Sequence, residues 1–436
     1  MNLSQSLRIK SDSPTIAFVG AGGKTTALFQ LAREFKQRVI VTATTHLGAW
    51  QTPLADHHII AKSVDDLIKH DFQGVTLITG SIENDRTEPI DKLILLWLHD
   101  VSKEKSIPFL IEADGARQKS LKAPAEHEPE IPDFVEMAVV VVGLSGLGKP
   151  LNEEYVHRPE IFAKLARQET GAKITAENIV KLICDPKGGL KNIPPRARRV
   201  VLLNQADTPE LKSASGKMAR QLLDHYDSVI VGTLQPVGLQ TIEPTAGIIL
   251  AAGGSKRFGQ TKQLLDWHGQ PFVRAVAKTA QEAGLSPIVI VTGANADEVE
   301  KAVAGLDVII AQNKDWEGGQ SSSIRVGVKA LPSNTGASIF LLADQPQIPV
   351  SVIRALMETH ASGLYPIVAP LVLMEKRANP VLFDRVTFPD LLAIEGDVGG
   401  RAIFSKHKVE FIPWHDDILL LDVDKPEDYQ RLMDDE

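Results

Sequence analysis

The sequence predicts an α/β protein of two domains, each built on a parallel sheet covered on both faces by helices. Short apolar runs rich in Val and Ile alternate with helical patterns along the whole chain, which is the sign of buried parallel strands joined by crossovers. The first half carries TIAFVG, RVIVTAT, VTLITG, IPFLIEAD, AVVVVGL and VVLLNQAD, and the second carries GIILAAG, PIVIVTG, DVIIAQN and SIFLLADQ. A chain of 436 residues is also too long for one ordinary core. The pattern restarts after GTLQPVGLQTIEPTAG, a stretch with turn residues and little periodicity, so the expected domains are 1–243 and 244–436.

Composition excludes several classes. A net charge of -8 over this length argues against a non-specific nucleic-acid binder. The short basic run PRARRV (195–200) reads as a solvated turn before a strand. A single cysteine, Cys184, permits neither a disulfide framework nor a cysteine metal cluster within the chain; its surroundings make it a buried small residue. The polar start MNLSQSLRIKSDS lacks the apolar core of a secretory signal, and the longest apolar run, MAVVVVGL, has the length of a buried strand. The expectation is a cytoplasmic protein with neither a nucleic-acid nor a membrane partner.

Chemistry is concentrated in glycine loops that follow apolar strands. The stretch GIILAAGGSKRFGQTKQLL (247–265) fits neither the dinucleotide fingerprint nor the Walker pattern. It still places backbone N–H groups at the end of a strand, where they can surround phosphate oxygens, and Arg257 and Lys262 add fixed positive charge. Further along, LLADQPQIP sets Asp344 just past a strand end, where ligands of open α/β sheets bind and where a carboxylate is a natural Mg²⁺ ligand. ILLLDVDKPEDY repeats the device with Asp422 and Asp424. GGQSSSIRVG and EGDVGGR supply polar loops, the first running into a helix start. Each alone is compatible with an ordinary turn or helix cap.

Together, LAAGGSKRFGQTKQLL, GGQSSSIRVGV, LADQPQIP, GDVGGR and DVDKPEDY resemble the molybdenum cofactor cytidylyltransferases, nucleotidyltransferases with a Rossmann-like sheet. The resemblance implies a nucleotide-binding loop through Leu250, Ala251, Ala252, Gly253, Gly254, Ser255 and Gly259, with Arg257, Lys262 and Asp344 as catalytic groups. It implies Mg²⁺ on Asp344, with Asp422 or Asp424 as a second ligand, and pterin or phosphate contacts from Ser321, Ser322, Ser323, Asn379 and Asp397. Relatives that use GTP usually read LAGG where this chain reads LAAG, so CTP is the expected nucleotide and molybdopterin the expected acceptor. The family's R-G-x-P appears here as Arg377-Ala378-Asn379-Pro380.

The earlier loop, VGAGGKTTALF, is a shortened P-loop, G-x-x-G-K-T from Gly20, similar to that of the Mur ligase type of ATP-binding enzymes. Gly20, Gly22 and Gly23 form the turn, Lys24 would meet β- and γ-phosphates, and Thr25 and Thr26 open the helix beside Mg²⁺. Glu112 and Asp114, at the end of another strand, are candidate ligands for that ion. Asn204 and Asp207 have the spacing of the guanine-reading N-K-x-D motif with Gln205 in place of its lysine, and a strand-end turn explains them equally well. His46, His127 and His157 are scattered. The loop makes ATP or GTP the expected nucleotide of this domain. GAGGKTT, TATTH, EADGA, LKAPAEHEPEIP, VHRPE and NQAD resemble the selenium-dependent hydroxylase accessory family, whose members accompany molybdenum hydroxylases, so such an enzyme is the expected recipient of the cofactor. Two alternatives stay open: a nucleotidyltransferase with GTP or a sugar-phosphate acceptor, and a non-catalytic cofactor carrier in which nucleotide acts as a switch.

Overall fold

A computed structural model describes residues 1–36, 38–254, 258–423 and 425–434. The chain divides into two compact units, Met1–Ile242 and Glu243–Glu436. Among the described residues, the first unit holds a nine-stranded sheet. Across the sheet the strands run Val237–Ile242, Ser228–Leu234, Arg198–Asn204, Met137–Gly143, Thr15–Gly20, Phe109–Glu112, Val39–Ala43, Val75–Thr79 and His57–Ile60. Every pairing is parallel except the hairpin of Ser228–Leu234 with Val237–Ile242. The central strands are buried along their whole length but for Gly20 at the end of one, as expected of a sheet covered on both faces. Helices such as Lys24–Glu34, Lys92–Glu104 and Pro209–Leu222 cover it.

The hairpin corrects one reading of the sequence. Much of GTLQPVGLQTIEPTAG, read as turns between the domains, is strand: Val237–Ile242 is an edge strand with only Leu239 and Thr241 fully buried. Its short alternation is easily mistaken for loop, and little more than Glu243 and Pro244 separates it from the next strand, Thr245–Ala251.

Among the described residues, the second unit holds an eight-stranded sheet. Its order is Ile309–Gln312, Ile288–Thr292, Thr245–Ala251, Ala337–Leu342, Val381–Asp384, Ile367–Val372 and Lys376–Arg377, with Val409–Trp414 also on Ile367–Val372. The first four strands are mutually parallel. Val381–Asp384 is antiparallel to both of its neighbours, so this sheet is mixed rather than parallel throughout. In both sheets the glycine loop follows a central strand, so the loop opens at the carboxyl edge between two crossovers. No described helix is long and apolar enough to cross a membrane.

Candidate functional site

The second glycine loop opens on a cavity of about 830 Å³. Leu250, Ala252, Gly253 and Gly254 form one wall, and Lys262 with Gln263 closes the side. Gln263 donates to the Gly253 carbonyl at 2.8 Å and so fixes the loop from below. Asp344, just past the strand Ala337–Leu342, enters the cavity with its carboxylate 4.0 Å from the Lys262 ammonium. The opposite wall is the start of helix Gln320–Lys329, with Gly319, Gln320 and Ser323 facing the space. Asp397 accepts from the Gln320 amide at 3.1 Å and ties the 396–400 loop to that helix. Trp316, which the sequence did not single out, forms an aromatic wall opposite Gly254.

Not every expected residue reaches this space. Ser321 donates to the Gly396 carbonyl, and Ser322 and Ser323 accept from the buried Asn313 side chain, so the serines brace the helix and only Ser323 also lines the cavity. Asn379 lies outside the lining and accepts from Arg401 at 3.3 Å. Asp422 accepts from Gln345 at 2.6 Å and is likewise outside the lining. Ala251 is buried beneath the loop, and Gly259 sits in an exposed turn. Ser255, Arg257 and Asp424 lie outside the described residues.

No group of three or more acidic, His or Cys side chains that could hold a metal occurs among the described residues. Asp344 offers one carboxylate to the cavity, a donor set that would suit a Mg²⁺ ion held by one or two carboxylates together with substrate phosphates and waters.

The first glycine loop is built differently. Gly20 has φ of +94°, and a Cβ there would lie 2.2 Å from the Val141 carbonyl oxygen, so the loop packs directly on the neighbouring strand. Lys24 is buried: its ammonium lies 2.9 Å from Glu112 and 3.2 Å from Asp114. Burial by itself would lower its pKa, but the carboxylates of Glu112 and Asp114 outweigh it and hold the pKa above the ordinary lysine value. The second oxygen of Glu112 accepts from the Thr25 hydroxyl at 2.8 Å.

Asp114, a candidate ligand for Mg²⁺ or its water shell, accepts from the Gly20 amide with both oxygens and contacts Lys24 and Lys122. Lys122 continues to Glu128 at 2.7 Å, and Glu128 to Arg158 at 2.7 Å. Alternating charges thus brace the loop from behind. Before it lies a cavity of about 570 Å³ lined by Gly22, Gly23, Lys24, Thr25, Thr26 and Glu112. Its far wall carries Trp50, Gln51 and the turn Asn84, Asp85 and Arg86, none of them marked by a sequence motif. Of the histidines, only His46 lines this space.

Comparison with known proteins divides the chain at the same place. Residues 16–160 match the YqeC protein family, and residues 247–411 match the MobA-like NTP transferase domain. The uncharacterized protein YqeC of Escherichia coli (strain K12) is 32% identical over 230 residues, covering 50% of this chain and 87% of that protein. The nicotine blue oxidoreductase of Paenarthrobacter nicotinovorans is 34% identical over 199 residues, 43% of this chain and 95% of that protein. The purine catabolism protein PucB of Bacillus subtilis (strain 168) is 28% identical over 197 residues, 43% of this chain and 94% of that protein. The chain therefore belongs to the YqeC family through its first unit and to the MobA-like NTP transferase family through its second.

Proposed function

We propose that the second unit transfers CMP from CTP to the phosphate of molybdopterin, giving the cytosine dinucleotide form of the molybdenum cofactor and pyrophosphate. The observation that carries this reading is the 830 Å³ cavity in which the glycine loop, Lys262 and Asp344 face one another. The family supports nucleotidyl transfer, and the LAAG ending of the strand supports CTP over GTP. An oxygen of the acceptor phosphate attacks the α-phosphorus. The bond to the bridging oxygen breaks and pyrophosphate leaves with that electron pair. Mg²⁺ on Asp344, when bound, neutralises charge on the phosphates. The loop amides after Ala252 position the triphosphate, and Lys262, with Arg257 beside it in sequence, faces the charge that develops on pyrophosphate.

The first unit, in this reading, binds ATP or GTP at the shortened P-loop, with Lys24 on the phosphates and Thr25 and Glu112 toward Mg²⁺. It carries out a nucleotide-dependent step that prepares the cofactor for a molybdenum hydroxylase. The test is pyrophosphate release by the full chain with Mg²⁺ and molybdopterin, comparing CTP, GTP and ATP. Release with CTP that disappears in Asp344→Ala supports the assignment. CTP binding without pyrophosphate supports a carrier instead. That readout matters because a relative named as an oxidoreductase shares the same domain.

A further inference from the structure

Asn204 is 5% exposed, and its side chain joins three elements. Its Nδ2 donates to the Gly22 carbonyl of the phosphate loop at 2.8 Å. Its Oδ1 accepts from the amide of Leu234, the last residue of the strand Ser228–Leu234, at 3.2 Å. One amide thus locks the phosphate loop to the ends of two strands on one side of it. Gln205 follows in a left-handed conformation, φ +66°, and lines the cavity in front of the loop. The backbone kink carries the chain outward to Asp207, whose side chain is exposed just before the helix Pro209–Leu222. The Ala206 amide, bonded to the Gly232 carbonyl at 3.0 Å, fixes the segment between them.

An amide that only closed a turn would bond within its own loop. Here it sets the height of the phosphate loop relative to the 205–207 segment. A nucleotide whose phosphates lie on the loop extends its base either across the cavity, past Glu112 and Gln51, or along its Gln205 edge toward Asp207, which lies just beyond the lining. The Glu112 side carries Thr25 and the ion-binding groups, so the γ-phosphate belongs there and the base belongs on the Asp207 side. A carboxylate has acceptors only. It pairs with the adjacent N1–H and N2–H₂ donors of guanine, whereas adenine turns the lone pair of N1 toward it.

We infer that the first unit is selective for guanine nucleotides, with Asp207 reading the base and Asn204 positioning it relative to the phosphates. The inference rests on the proposed nucleotide site of the first unit. It is tested on the full chain with ribose-labelled fluorescent GTP, ATP and XTP, in the wild type, Lys24→Ala, Asp207→Asn and Asp207→Ala. The component of binding lost in Lys24→Ala reports the first unit, which separates it from nucleotide held by the second. That component should favour GTP over ATP by at least about tenfold, since the carboxylate finds two donors on guanine and only another acceptor at adenine N1. Asp207→Asn should invert the preference toward XTP, because an amide donates to the xanthine C2 carbonyl while accepting from N1–H. Asp207→Ala should lose the preference without gaining XTP. Lys24-dependent binding that is equal for ATP and GTP, or unchanged in Asp207→Asn, overturns the inference and leaves the nucleotide site standing. If no nucleotide shows a Lys24-dependent component, the site itself falls and the inference with it.

Discussion

The two glycine loops of this chain have similar sequences and opposite construction. The first is pressed against its neighbouring strand and backed by the buried series Lys24, Asp114, Lys122 and Glu128, which ends on the half-buried Arg158. The second stands at the mouth of a larger cavity, where a Cβ on Gly253 would meet Gln263 at 3.7 Å and nothing nearer among the described residues. Its lysine, Lys262, lies at 4.0 Å from a carboxylate that is itself about a third exposed, 34%. In the first loop the cation is part of the fold, paired with two carboxylates. In the second, charge is concentrated at the cavity surface, where substrate phosphates would meet it.

The largest effect separating them should come from Asp344→Ala. Pyrophosphate release with CTP should fall at least about a thousandfold, about 4 kcal/mol of transition-state stabilisation, while unfolding of either unit stays near wild type. Comparable loss of stability would make Asp344 structural and remove the contrast.

Lys24→Ala should act the other way, on the fold. It leaves Glu112 and Asp114 buried without their shared cation, a change that costs about 3–5 kcal/mol. Hydrogen exchange should show lost protection in Thr15–Gly20 and Phe109–Glu112, with Thr245–Ala251 unchanged. Full protection in the variant would mean that the buried charges relax without the lysine.

A smaller difference is expected between the glycines. Gly20→Ala must displace the Val141 carbonyl and adopt a left-handed backbone, so it should destabilise the first unit by about 2 kcal/mol or more. Gly253→Ala should change stability by less than about 0.5 kcal/mol and weaken CTP binding instead. Thermal unfolding and CTP titration of the same two proteins check both statements.

The mildest test is pH. Burial, then the positive charges of Arg158 and Lys122, press the His157 imidazole down to about 4 from an ordinary 6.5. The unfolded chain therefore takes up this proton first, and stability contributed by neutral His157 declines as pH falls from about 6.5 to about 4. Burial opposes ionisation of Glu128, but hydrogen bonds from Arg158 and Lys122 hold it down to about 2 from 4.5. Its contribution is present above the ordinary value and is lost as pH falls toward 2. Protection in the first unit should thus fade with acid before protection in the second, and His157→Gln should flatten the upper part of that decline.

Much of this arrangement was legible in the chain itself. Runs such as AVVVVGL and GIILAAG could only be buried strands, and GAGGKTT and LADQP announced polar groups at their ends, because strand length, turn glycines and acidic residues are local properties. Ser228–Leu234, its hairpin partner and the antiparallel strand Val381–Asp384 were not read, since edge and antiparallel pairing depend on what lies alongside. Trp50 and Trp316 carry no motif and reach the cavities only through folding.

The sequence by itself determined which residue types stand at which strand ends, and with them the two glycine loops and the acids that follow. Only the tertiary structure decided what those groups do. Asp114 and Glu112 lie one residue apart from a common neighbour, Ala113, yet one is enclosed between Gly20, Lys24 and Lys122 while the other faces the cavity with Thr25. Asp422 carries as acidic a motif as Asp344 but is engaged with Gln345 outside the cavity lining. A carboxylate's chemistry depends on the charges and donors within a few ångströms, and those come from distant parts of the chain.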